Sequence, residues 1–336
     1  MRAPRGLLAL ALIATVATVA LPAPAGAAGP AESPGTVRLM AVGDMELAFG
    51  VGRRIVRDGP HVPFAGVDQY FAQADLVVGN LECSLSRNGA PWPRKLLHFG
   101  APGAAAEALA VGGMDAVSVA NNHSLDFGRD AFLDTLELLD GQGVGHAGGG
   151  VDRDAAHAPL IIERNGLRIA FLAYVTPFWG PVHFTTRAWE AGPRGAGVAI
   201  ARADDIAADV TAARTVADVV VVSVHSDGEY HRMPKRIQRH MADAAIGAGA
   251  ALVIGHGPHV LQGYRLGDHT LIAYSLGNFV FPGYYGDALY SAILDVTLSA
   301  QGVESFSWIP IVLAKALPRP ASGAEIDWIT DRLKPI

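Results

Sequence analysis

The chain has a single cysteine, Cys83, so no internal disulfide can form and stability must come from packing and from bound groups. Its 26 lysines and arginines are outnumbered by 32 acidic residues. That balance argues against a general affinity for nucleic acid or other polyanions and leaves any acidic ligand to a local site. Beyond the N-terminus no stretch is long and apolar enough to span a bilayer, nothing repeats at a solenoid period, and no low-complexity tract occurs.

The N-terminus does carry a leader pattern. "MRAPRGLLALALIATVATVALPAPAGAAGP" sets Arg2 and Arg5 before the apolar core Leu7 to Leu21, and Ala25-Gly26-Ala27 forms a small-residue cleavage pattern. Residues 1–27 read as a secretory signal cut after Ala27, which predicts a secreted or cell-surface protein. Removing it takes two arginines and no acids, moving the net charge from -6 to about -8 and leaving about 309 residues, enough for one large domain. That domain is expected over 36–316, with a C-terminal extension over 317–336. In the extension Ile326, Ile329 and Leu333 fall at helical spacing.

Valine- and isoleucine-rich runs alternate with alanine-rich helical stretches, the pattern of an α/β fold. Strands are expected at Val37 to Val42, Leu76 to Leu81, Ala116 to Ala120, Val219 to Val224 and Leu252 to Ile254, and helices at Pro102 to Val111, Asp130 to Leu139, Ala203 to Val216 and Pro234 to Ala248. Asn165-Gly166 is a strong hairpin signal, because both central positions of the favoured turn take positive φ. Gly267-Asp268 marks a second hairpin. Thr176 to Gly197, rich in aromatics, glycine and proline, reads as a long loop forming a lid or binding wall.

Polar groups of metal-ligand type stand where each strand stops. Asp44 and Glu46 follow the first; Asn80 and Glu82 the second; Asn121, Asn122, His123 and Asp126 the third; His225, Asp227, Glu229 and His231 the fourth; His256 and His259 the fifth. Ligands collect beyond the carboxyl ends of strands in open sheets, so these groups are expected to share one cleft. Carboxylates, an amide and imidazoles suit divalent ions of intermediate hardness such as Mn²⁺, Fe²⁺ or Zn²⁺, and their number suits two ions.

The stretches "GDMEL", "GNLECSLS", "ANNHSLDFG", "VHSDGEY", "GHGPHVLQG" and "YSLGNFVF", taken in order, resemble the CapA family, proteins associated with making and exporting poly-γ-glutamate. The resemblance implies a layered α/β/β/α sandwich of the metallo-dependent phosphatase-like (calcineurin-like) type. It implies that Asp44 binds one metal, with Glu46 at a spacing where many metallophosphoesterases carry histidine. Glu82 would bridge, Asn122 would offer its amide oxygen, and His225, His256 and His259 would complete the shells. His123 would protonate a leaving group, with Asp126 holding its tautomer and raising its basicity. Glu229 would be a supporting group or a contact for a cationic part of the substrate.

The sequence departs from the family pattern at Gly257, where members commonly have histidine, and at Ser226-Asp227, where many carry Trp-Gly. The first departure raises the prospect of a weakened site. Trp179 and Trp189 are candidate aromatic walls. The leading expectation is an exported, metal-dependent hydrolase-like protein acting on poly-γ-glutamate or a related peptide or envelope polymer, alongside membrane-bound synthesis or export subunits. Alternatives are a metal-dependent phosphoesterase, a peptide hydrolase or epimerase of a natural-product pathway, or a non-catalytic scaffold with a degenerate site.

Overall fold

The computed structural model describes residues 35–180, 183–226 and 228–336. The expected leader, and Asp227 of the fourth motif, lie outside the described residues.

The β-branched runs form two mixed sheets. The first has eight strands, ordered Leu317–Pro320, Gly302–Ala314, Tyr290–Ser299, Val37–Met45, Leu76–Leu81, Ala116–Ser118 and Gly145–Ala147, with Asn278–Val280 also pairing to Val37–Met45. The second has six, ordered Leu261–Gly267, Thr270–Leu276, Leu252–His256, Val219–His225, Leu167–Val175 and Leu160–Arg164. In both, the central strands that carry polar ends run parallel.

Side-chain alternation explains how the layers stack. Along Leu167–Val175, Ile169, Phe171, Ala173 and Val175 enter the core shared with the first sheet. Ala170, Leu172 and Tyr174 point the other way, into a cluster with Ile206 and Val210 of helix Ala203–Ala213 and Met241 and Ala245 of helix Arg236–Ala248. Helices Phe49–Asp58, Ala104–Val111 and Gly128–Gly141 bury Ile55, Leu109 and Phe132 against the first sheet. The architecture is the α/β/β/α sandwich.

Local signals account for the connections. Asn165 and Gly166 take φ of 49° and 78°, closing a two-residue turn between the paired Arg164 and Leu167. The second hairpin turns one residue later than expected, on Asp268-His269, because Gly267 still pairs with Thr270. The first strand runs on to Met45, since its far end pairs with both Asn80 and Asn278 after a break in register. The third ends early, at Ser118. Helix Ala203–Ala213 stops short of Val216 because the chain turns, with Thr215 N donating to Ala212 O. Thr176 to Gly197 contains a 3₁₀ turn, Thr186–Trp189, that carries Trp189 fully into the core.

The three strands from Tyr290 to Pro320 extend the first sheet, so residues 317–320 belong to it. Helix Ala324–Arg332 follows and packs Ile329 and Leu333 on Leu261, Ala292 and Val312, while Ile326 is exposed. No helix among the described residues is long and apolar enough to cross a membrane.

One close backbone approach aims the first strand. A methyl group on Gly43 would lie 1.9 Å from the carbonyl oxygen of Gly277, and the next residue, Asp44, donates its N–H to that oxygen at 3.0 Å. Neither partner is a movable side chain, so Gly43→Ala is expected to cost at least about 2–3 kcal/mol, read as a lower denaturation midpoint at unchanged m-value.

Candidate metal centre

The site forms where the carboxyl ends of the two sheets meet. Asp44 stands in register with Asn80 on one side and Asn278 on the other, in the first sheet. His225 and His256 stand in register in the second. Packing the sheets face to face therefore sets two carboxylates against a row of imidazoles.

Asp44 is the hub. Its Oδ1 accepts from Asn80 Nδ2 at 2.8 Å and its Oδ2 from the backbone N–H of Gly257 at 3.1 Å. His256 and His259 each bring Nδ1 to 3.4 Å of its oxygens, and His225 Nδ1 lies at 3.9 Å. Burial opposes ionisation of Asp44, but these imidazoles outweigh it and hold the carboxyl well below its ordinary range.

Glu82 is the opposite case. It is fully buried and neither carboxylate oxygen has a hydrogen-bond partner, although His225 Nε2 and His259 Nε2 each stand 3.8 Å from Oε1. Burial, then the charge of Asp44, pushes its carboxyl well above the usual range. The amide oxygen of Asn122 is likewise buried and unpartnered. Unsatisfied acceptors gathered in this way have one economical remedy, a cation. Asp44, Glu82 and His225 offer ligand atoms that all lie within 4.8 Å of one another, so these three form a possible metal-binding triad.

Supporting groups fix the imidazoles. His259 takes φ of 59° and its Nδ1 meets Asn278 Oδ1 at 2.8 Å, which leaves Nε2 facing Glu82. Burial works against charge on His259, but Glu82, Asp44 and Asn278 raise it to about 9. Asn121, which had no expected role, ties the strand ends together. Its Nδ2 donates to Leu81 O at 2.7 Å and to Asn80 Oδ1 at 3.1 Å, so the Asn80 amide must turn its nitrogen toward Asp44 and His225 Nδ1. Burial brings His225 down to about 3, with Asp44 opposing.

Gly257 contributes its backbone to the arrangement. Its φ is 99° and a methyl group there would lie 2.2 Å from Ser226 O, so this backbone excludes a larger residue while its amide serves Asp44. His256 and His259, on either side, both converge on Asp44.

Glu46 is not among the converging triad. Its Oε1 accepts from Ala48 N at 2.7 Å, at the start of helix Phe49–Asp58, and burial pushes its carboxyl up to about 8. Glu229 is exposed and lines the mouth of the cleft. Trp179 is exposed, whereas Trp189 packs edge-on against Trp92.

His123 and Asp126 are brought together, Nδ1 to Oδ2 at 2.7 Å, and the His123 ring stacks on Phe99 with centroids 3.7 Å apart. The sequence did not reveal the third member. Lys95, buried, lies 2.5 Å from Asp126 Oδ1 and 2.9 Å from His123 Nδ1, and donates to Leu97 O at 2.9 Å. Its ammonium also sits 5.6 Å from the ring centres of both Phe184 and Trp189, joining the long loop to the site. Asp126 acts to raise the basicity of His123, but burial first, then Lys95, outweigh it and bring the imidazole down to about 4. The sequence did not single out Asn278, which lies within the motif "YSLGNFVF", nor Lys95, which sits in an aperiodic stretch, "PWPRKLLHFG", with nothing beyond its charge to mark it.

The family model for the bacterial capsule synthesis protein PGA_cap matches residues 38–283. The chain belongs to that family. It is 27% identical over 290 residues to the capsule biosynthesis protein CapA of Bacillus anthracis, covering 84% of this chain and 69% of that one. It is 29% identical over 281 residues to the PGA biosynthesis protein CapA of Bacillus subtilis, covering 83% and 72%. A probable polyglutamine synthesis accessory protein of Mycobacterium tuberculosis is 26% identical over 279 residues, covering 78% and 72%. The matched span of this PGA_cap protein includes every ligand candidate from Asp44 to His259.

Three outcomes are expected. Lys95→Met leaves Asp126 buried without its cation and should destabilise by about 3–5 kcal/mol, with most of that recovered when Asp126→Asn is added; a double-mutant cycle by urea denaturation measures it. Glu82→Gln should hold or raise the melting temperature of chelator-treated protein while stripping metal, because it removes a buried acid with no partner. Glu46, whose pKa is higher folded than unfolded, binds more protons in the folded state between pH 4.5 and about 8. In metal-free protein its contribution to stability should fall as pH rises through that window and level off above it, so Glu46→Gln should flatten the stability–pH curve there.

Proposed function

We propose that this PGA_cap protein is exported through its N-terminal leader and takes part in making or exporting poly-γ-glutamate or a related peptide polymer of the envelope, with a metal-dependent hydrolase-like centre. Glu82 carries the reading: a fully buried carboxylate without a hydrogen-bond partner, facing two imidazoles, suits a cation bridge and little else. The names of the Bacillus and Mycobacterium relatives support the polymer assignment.

The donor set fits two divalent ions of the Mn²⁺, Fe²⁺ or Zn²⁺ class. Asp44, Glu82, Asn122, His225, His256 and His259 would hold them, and bound ions would supply an activated water and neutralise charge on the attacked group. The residues do the positioning. Asn80 and the Gly257 amide fix the Asp44 carboxylate, and Asn278 fixes the His259 ring. His123, clamped at Nδ1 by Asp126 and on its face by Phe99, keeps Nε2 for proton transfer. Lowered to about 4, it rests as a neutral imidazole, so it would take up a proton before delivering one to a leaving group.

Elemental analysis of the purified mature protein should find about one to two transition-metal ions per chain, falling below about a tenth in Glu82→Gln. Incubating metal-loaded protein with poly-γ-glutamate, then measuring chain length and the chirality of released residues, should show shortening that His123→Ala abolishes. Unchanged length with inverted chirality would point to epimerisation, and no change in either would leave binding or scaffolding. Intact mass of the exported protein should correspond to a chain beginning at Ala28.

A further inference from the structure

The cleft at the metal centre is small. Between Asn122, His225, Glu229, Gly257 and His259 it offers about 10 Å³, room for about one water-sized group, so a polymer must be gripped outside it. A groove of about 640 Å³ lies behind His259 of that cleft. Its aromatic wall, Phe281 and Tyr284, places ring centres 5.0 Å and 5.1 Å from that of His259. Helix Phe49–Asp58 forms a second side with Arg54 and Arg57, and the turn after strand Gly302–Ala314 forms a third with Lys315 and Ala316.

We propose that this groove is a carboxylate-binding site that holds a polycarboxylate strand beside the metal centre, an inference that rests on the polymer reading above. In a chain of net charge -6, the groove gathers Arg54, Arg57 and Lys315 against Asp58 alone. Asp58 is fully engaged by Arg57, at 2.7 and 2.6 Å. Arg54 and Lys315 form no ion pair among the described residues, and Arg54 donates to the Lys315 carbonyl at 3.5 Å, so the helix and the turn that carry the two cations meet in this groove.

The site is built rather than incidental. Lys315 and Ala316 hold φ of 52° and 74°, a tight turn that residues with side chains rarely adopt, and Phe281 N donates to Ala316 O at 3.1 Å, locking that turn to the aromatic wall. Guanidinium and ammonium groups spaced over an apolar floor of Phe281, Pro282 and Leu289 match a chain whose carboxylates are separated by methylenes and amides.

The test is fluorescence anisotropy of metal-loaded, full-length mature protein with a labelled poly-γ-glutamate oligomer at two salt concentrations. The double variant Arg54→Gln/Lys315→Gln should bind roughly tenfold more weakly with a shallower salt dependence, and Lys315→Gln alone should lie between. Metal content and circular dichroism should match wild type. Arg53→Gln, which lines a different groove, should bind as wild type does. Binding by the double variant within twofold of wild type would overturn the groove, and so would tighter binding of polyphosphate than of poly-γ-glutamate by wild type. A wild-type protein with no affinity for poly-γ-glutamate would overturn groove and polymer reading together. Loss of polymer shortening with groove-dependent binding retained would remove only the hydrolytic reading.

Discussion

The carboxylate of Asp44 is the point on which the molecule turns. It ends the central strand of one sheet and accepts the Gly257 amide, which follows a central strand of the other. Both sheets must therefore be packed in register before the site exists. Gly43, pressed against the Gly277 backbone, brings the strand close enough for this, and Asn80 and Asn278 hold the flanks.

Around that hub the site combines groups whose preferences conflict in the protein alone. Asp44 is held ionised while Glu82, fully buried beside it, is pushed toward its neutral form. His259 is drawn toward charge and His225 away from it. Groups this close with opposed protonation tendencies suit a candidate site for a cation. Lys95 plays a comparable part a short distance away, as a buried cation that partners Asp126 and adds to burial in keeping His123 uncharged.

Much of this was visible in the sequence because parallel strands end in the same place. Once Val37, Leu76, Ala116, Val219 and Leu252 are read as strand starts, the residues after each run have to share an edge. That rule brings Asp44, Glu82, Asn122, His225, His256 and His259 to one edge together with other polar groups, and the resemblance to the CapA family singles these six out as ligand candidates. What the sequence hid depends on distance in the chain. Lys95 reaches Asp126 across 31 residues from a stretch with no period. Glu46 looked like a ligand by spacing, yet a nearby amide, Ala48 N, captured it. The strands from Tyr290 to Pro320 were obscured by Pro310 and by polar residues in Gly302–Ala314, and only their pairing makes them a sheet. The backbone role of Gly257 was hidden as well, because positive φ and the nearness of Ser226 O are properties of a folded backbone.

Cys83, one residue beyond Glu82, is buried in the main core, and burial pushes its thiol well above the usual range. It should stay silent toward a thiol reagent while the sheets are closed and react when they part. A chain with one cysteine thus carries its own clock for opening at the metal centre, readable without any label having been introduced.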